Sequence, residues 1–142
     1  MHSQFNPHAL AGLALLCAAA AAPADEARVV SADTMHDVVS AQVLDVAADG
    51  VIHARLTNHG DGRVQAAEVL ARYDWVWRDS RHPGGENPGW VTFKHLPVEL
   101  APNQSVEFEV APGRALPTRE DGQIMTSLAV VSVTEIKSVQ TR

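Results

Sequence analysis

Apolar and polar residues alternate with a period of two along much of the chain, the spacing that sends successive side chains to opposite faces of a strand. Val51 to Thr57 reads VIHARLT, with Ile52, Ala54 and Leu56 on one face and His53, Arg55 and Thr57 on the other. Ser105 to Val110 reads SVEFEV, turning Val106, Phe108 and Val110 one way and Glu107 and Glu109 the other. Further β-prone runs are Val38 to Leu44, Val64 to Trp77, Trp90 to His95 with Val98 to Leu100 beyond Pro97, and Ser127 to Ile136. Turn residues separate them: Asn58-His59-Gly60-Asp61-Gly62, Ala101-Pro102-Asn103-Gln104 and Ala111-Pro112-Gly113. Asp79 to Gly89 holds two Pro-Gly pairs and reads as loop. No long helical period interrupts the series. Short strands at this spacing predict an all-β, antiparallel, immunoglobulin-like β-sandwich of six to seven strands.

The same period sorts the aromatic residues. In Arg72 to Asp79, RYDWVWRD, Tyr73, Trp75 and Trp77 share one face, and Arg72, Asp74, Val76 and Arg78 the other. A strand with one solvated side has this form. A buried aromatic ring withdraws about 150–250 Å² from water, so a chain poor in rings is expected to spend them on its core. Tyr73, Trp75, Trp77 and Trp90 are the expected structural core, in preference to a stacking platform for a ligand.

The amino-terminal segment departs from the pattern. All eleven Lys and Arg and all seventeen Asp and Glu lie from Asp25 onward. Ala9 to Ala22 is continuously apolar but shorter than the roughly 20 residues of a membrane span, and Ala22-Pro23-Ala24 places small residues at both specificity positions of a signal-peptidase site. Residues 1–24 are therefore expected to be a cleaved export signal and 25–142 a single periplasmic domain with no transmembrane segment. Cys17, the only cysteine, is preceded by Leu16 rather than the small residue of a lipoprotein site, so lipid attachment there is the lesser expectation. Once the signal is removed, disulfides and thiolate chemistry are excluded. A formal net charge of −6, with no run of Lys or Arg, argues against a nucleic-acid partner.

The strand motifs carry a resemblance. An Asn-ended strand at Leu56 to Asn58 precedes the aromatic strand with Tyr73, Trp75 and Trp77 closing on Asp79. Pro88 and Trp90 follow the loop, then Ala101-Pro102, Ser105-Val106 and Ala111-Pro112. In these features, from about Val38 to Ile136, the chain resembles the YcfL-like proteins of the Gram-negative envelope, whose molecular role is not established. Gly89 stands between Pro88 and Trp90, where the family has the two adjacent. The resemblance implies an immunoglobulin-like sandwich in the periplasm and supplies no catalytic residue.

Signatures of chemistry are sparse. The chain has no G-x-S-x-G, P-loop or H-E-x-x-H motif. Asp45 to Gly50 begins like a calcium loop, but Ala47 and Leu56 stand where ligands are needed. His36, His53, His59, His82 and His95 follow no known ligand spacing. Arg72, Asp74, Arg78 and Asp79 are candidates for cross-strand charge pairs on a solvated face. No catalytic residue, cofactor or metal site is assigned. The function expected is a non-enzymatic envelope module binding another envelope protein or the cell wall, with Arg81, His82, Glu86 and Asn87 of the long loop as candidate partner-binding residues. A small periplasmic metal-binding protein using surface histidines is the alternative.

Overall fold

The computed structural model describes residues 24–139. The expected export signal and Cys17 fall outside them, apart from Ala24 at the signal's end. Seven strands and one short helix follow in order: β1 Asp25–Val29, α1 Met35–Val38, β2 Val39–Val46, β3 Ile52–Asn58, β4 Arg63–Trp77, β5 Trp90–Leu100, β6 Ser105–Val110 and β7 Gly122–Ser138. They form two sheets, a four-stranded one ordered β1-β7-β4-β5 and a three-stranded one ordered β2-β3-β6. Every pairing is antiparallel. The fold is thus all-β, and the four-stranded sheet curls into a half-barrel. Among the described residues no helix is long and apolar enough to cross a membrane.

Alternation becomes burial where the two sheets face each other. Ile52, Ala54 and Leu56 of β3 are fully buried, opposite Val64, Val69, Ala71 and Tyr73 of β4 and Val133 of β7. β4 is strand throughout, with register shifts at Val64/Ala66 and Glu68/Val69. Such bulges add twist and bend the long β4–β7 ribbon, which accounts for the curl.

Three features depart from the sequence reading. β1 is unforeseen because all five of its residues are exposed, so no hydrophobic period marks it. It exists through its ladder to β7, from Asp25 opposite Ser138 to Val29 opposite Thr134. β7 also starts at Gly122 rather than Ser127, since β4 pairs with it as far as Trp77 opposite Gly122. The charges around the aromatic strand, read as cross-strand partners, lie elsewhere. Arg72 pairs with Asp74 two residues along the same strand, Asp79 pairs with His82, and Arg78 makes no ion pair among the described residues.

The Asn58 to Gly62 turn is a polar joint built into the core. Asn58 is fully buried and donates from Nδ2 to the carbonyls of Gly62 (2.8 Å) and Leu100 (3.0 Å), while its Oδ1 accepts the Gly60 N–H (2.9 Å). Glu135, also fully buried, accepts from Arg28 Nε (3.0 Å) and Nη2 (2.7 Å) and from the Gly62 N–H (3.2 Å). A Cβ at Gly62 would lie 2.6 Å from the Glu135 carboxylate, so the turn needs glycine there to let the acid approach.

Candidate functional site

The aromatic end of the molecule is built from β4, the start of β5 and the segment 111–121 that leads into β7. Tyr73 is fully buried and Trp75 nearly so, whereas Trp77 and Trp90 are half-buried. Trp90 stacks on Tyr73 with ring centroids 4.6 Å apart and planes 6° from parallel. Its Nε1 donates to the Pro112 carbonyl (2.8 Å), and the Arg114 guanidinium lies over its other face at 4.8 Å. Trp75 and Trp77 meet edge to face, and Arg119 lies over both rings at 5.4 and 5.1 Å. Arginines thus lie over all three tryptophan rings, and Trp77 also borders a surface depression of about 320 Å³ with Val76, Arg78, Gly122 and Gln123. Gly89 has its reason in the same place, because a Cβ would sit 2.8 Å from the Tyr73 carbonyl.

Arg119 also ties down the long loop. It bonds Asp121 through Nε (3.1 Å) and reaches the carbonyls of Glu86 (3.0 Å) and Gly84 (3.2 Å). That hydrogen bond from Arg119 holds the Asp121 carboxyl below its usual pKa. The four candidate loop residues are all exposed but do not converge. His82 Nδ1 pairs with Asp79 Oδ2 (2.7 Å), which lowers the Asp79 pKa, and Asn87 Oδ1 accepts the Gly89 N–H of its own turn (2.8 Å). The side chains of Arg81 and Glu86 have no partner among the described residues.

The histidines are scattered. His36 lies beside Asp37, His53 beside Glu109, His59 against Ser40 and His82 against Asp79. Among the described residues no three His, Cys, Asp or Glu side chains come together as metal ligands would. Surface depressions of about 370 and 340 Å³ are present, the first lined by Asp25, Asp61, Arg63 and Lys137, the second by Met35, Val39, Leu128 and Val130. Each also holds a serine hydroxyl in a hydrogen bond, Ser138 Oγ donating to Asp25 Oδ1 in the first (2.9 Å) and Ser40 Oγ lying 2.7 Å from His59 Nε2 in the second.

The outer face of the four-stranded sheet is different in kind, and the sequence reading missed it. Phe93 is 60% exposed, Met125 55%, Val91 49%, Val76 40% and Val131 38%. The registers set them side by side: Phe93 beside Leu70 and Leu70 beside Ala129, Val91 beside Arg72, and Met125 beside Asp74. The available signal was the stretch WVTFKH, which carries large apolar residues on both faces, Trp90 on one and Val91 and Phe93 on the other. The burial strength of Trp90 drew attention to only one of them. The chain matches no family model, no curated protein and no solved structure.

Tyr73 gives the site a pH signature. Burial, with Asp49 nearby, raises the phenol above its ordinary pKa of 10.0, and its hydroxyl donates to the Gly50 carbonyl (2.9 Å). The folded state therefore keeps a proton that the unfolded chain loses above about pH 10. Its stabilising contribution is complete below that pH and declines as pH rises toward the higher folded value. As Tyr73 is the only tyrosine, tyrosinate absorbance is expected to rise above pH 10 together with loss of the folded circular dichroism signal. A phenol that titrates at its ordinary pKa in a still-folded protein would contradict this burial.

Proposed function

We propose that the chain is an exported, non-enzymatic module of the cell envelope, an immunoglobulin-like sandwich of the YcfL-like kind, whose work is protein interaction through the outer face of its four-stranded sheet. The exposed apolar face carries this reading. Phe93, Met125, Val91, Val76 and Val131 present on the order of 300–400 Å² of apolar surface, a patch of the size that on a single soluble domain is often functional. The charge-free amino terminus and the small residues before Asp25 support export to the periplasm, with a mature chain beginning at Asp25.

The sheet face is preferred to the loop of residues 79–89 because the loop's four candidate side chains do not converge, His82 and Asn87 are engaged locally and the loop backbone is held by Arg119. Affinity capture with the tagged mature chain, from envelope extracts that also contain untagged chain, tests the choice. Phe93→Asp is expected to lose the retained partner. Replacement of Arg81 to Asn87 by a short Gly-Ser link is expected to keep it. The opposite result would return recognition to the loop.

A further inference from the structure

The outer face also has an internal symmetry that indicates what covers it. Along β4 the outward side chains run Leu70, Arg72, Asp74, Val76, an apolar residue at each end and opposite charges in the middle. Arg72 and Asp74 are both about half exposed, at 53% and 51%, and their mutual contact is long, Nε to Oδ2 3.4 Å and Nη2 to Oδ1 3.5 Å. An exposed pair at that distance contributes little stability to the monomer. Val91 and Phe93 of β5 lie on one side of this row and Met125 and Ala129 of β7 on the other.

We propose that this face packs against the same face of a second copy of the chain, forming a two-fold dimer; the inference rests on reading the face as the interaction surface. A two-fold axis crossing β4 between Arg72 and Asp74 sets Arg72 against Asp74 of the second copy, and Asp74 against its Arg72. The same axis sets Leu70 against Val76 of the second copy. Two-fold interfaces use one patch on both subunits and must be complementary to themselves. This patch is, in charge as well as in apolar surface. Its two charges cancel, so it does not select a partner of strong opposite sign. Antiparallel sheets pack face to face in just this way, with mean strand directions nearly aligned. The area is also adequate. Stable interfaces bury about 800 Å² per partner, a little over half of it apolar, and the exposed apolar surface here supplies most of that share.

Sedimentation equilibrium of the mature chain tests the proposal, with thermal unfolding to verify that each variant is folded. Wild type is expected to be a dimer. Arg72→Asp, which sets four acids together across the axis, is expected to weaken association at least about tenfold. Arg72→Asp with Asp74→Arg reverses both charges, keeps the patch complementary to itself and is expected to restore association. A dimer indifferent to Arg72→Asp and to Phe93→Asp would place the contact elsewhere and overturn the proposal. A wild type monomeric up to about 100 μM, well above the micromolar range of ordinary protein pairs, would overturn it too. In that case, loss of a captured partner by Phe93→Asp would still uphold the interaction-module reading, whereas capture unaffected by Phe93→Asp would defeat that reading as well.

Discussion

Replacing Trp75 with alanine is expected to cost about 3–5 kcal/mol of stability, the range for deleting a buried indole. Only 6% of the residue is exposed, and its ring lies against Gly122, where a Cβ would come within 2.5 Å of Cε2. The Arg119 guanidinium lies over the same ring at 5.4 Å and joins it to the long loop, so the cavity left by alanine would be shared by three segments. Trp75 also carries a cost of its own, because its buried Nε1 has no hydrogen-bond partner among the described residues. An unsatisfied buried donor costs about 1–3 kcal/mol. Trp75→Phe keeps much of the apolar volume and removes that donor, so it is expected to lose no more than about 1 kcal/mol. Urea denaturation of the three proteins measures both differences. A loss below about 1 kcal/mol for the alanine variant would show that the indole is not a core element.

Arg28→Ala is expected to cost about 2–3 kcal/mol, although Arg28 itself is half exposed. The cost arises at the other end of the pair. Glu135 is fully buried, and Arg28 gives its Oε2 two of the carboxylate's hydrogen bonds. Lys137 is a poor substitute, lying 3.8 Å from Glu135 while bonded to Asp61 at 2.5 Å. Without Arg28 a buried charge is left poorly compensated, and β1 loses its ion pair to the sheet while keeping the Ser138 hydroxyl bond to Asp25 (2.9 Å). Adding Glu135→Gln removes the charge but keeps an acceptor for the Gly62 N–H. The double variant is therefore expected to recover at least about 1 kcal/mol of the loss. If the double variant proves less stable than Arg28→Ala alone, the uncompensated charge is not the origin of the cost. Chemical denaturation with hydrogen exchange on β1 gives the two readouts.

By itself the sequence determined the all-β class, six of the seven strands and the buried face of the aromatic one. Alternation fixes these because a period of two allows one buried side per strand, and VIHARLT, SVEFEV and RYDWVWRD leave no doubt which side is apolar. What only the tertiary structure decided depends on partners distant in sequence. β1 has no apolar period and is a strand only because β7 is long enough to pair with it. Glu135 is a buried acid only because Arg28, 107 residues away, reaches it. Arg119 became the clasp of the aromatic end through two tryptophans of β4 and two carbonyls of the long loop. The outer patch needed three strands in register, since Phe93, Leu70, Ala129 and Met125 are scattered over about sixty positions of chain and adjoin only across the ladders. Local periodicity reports which way a side chain points; its neighbours on that side are set by strand pairing, which is a property of the folded chain as a whole.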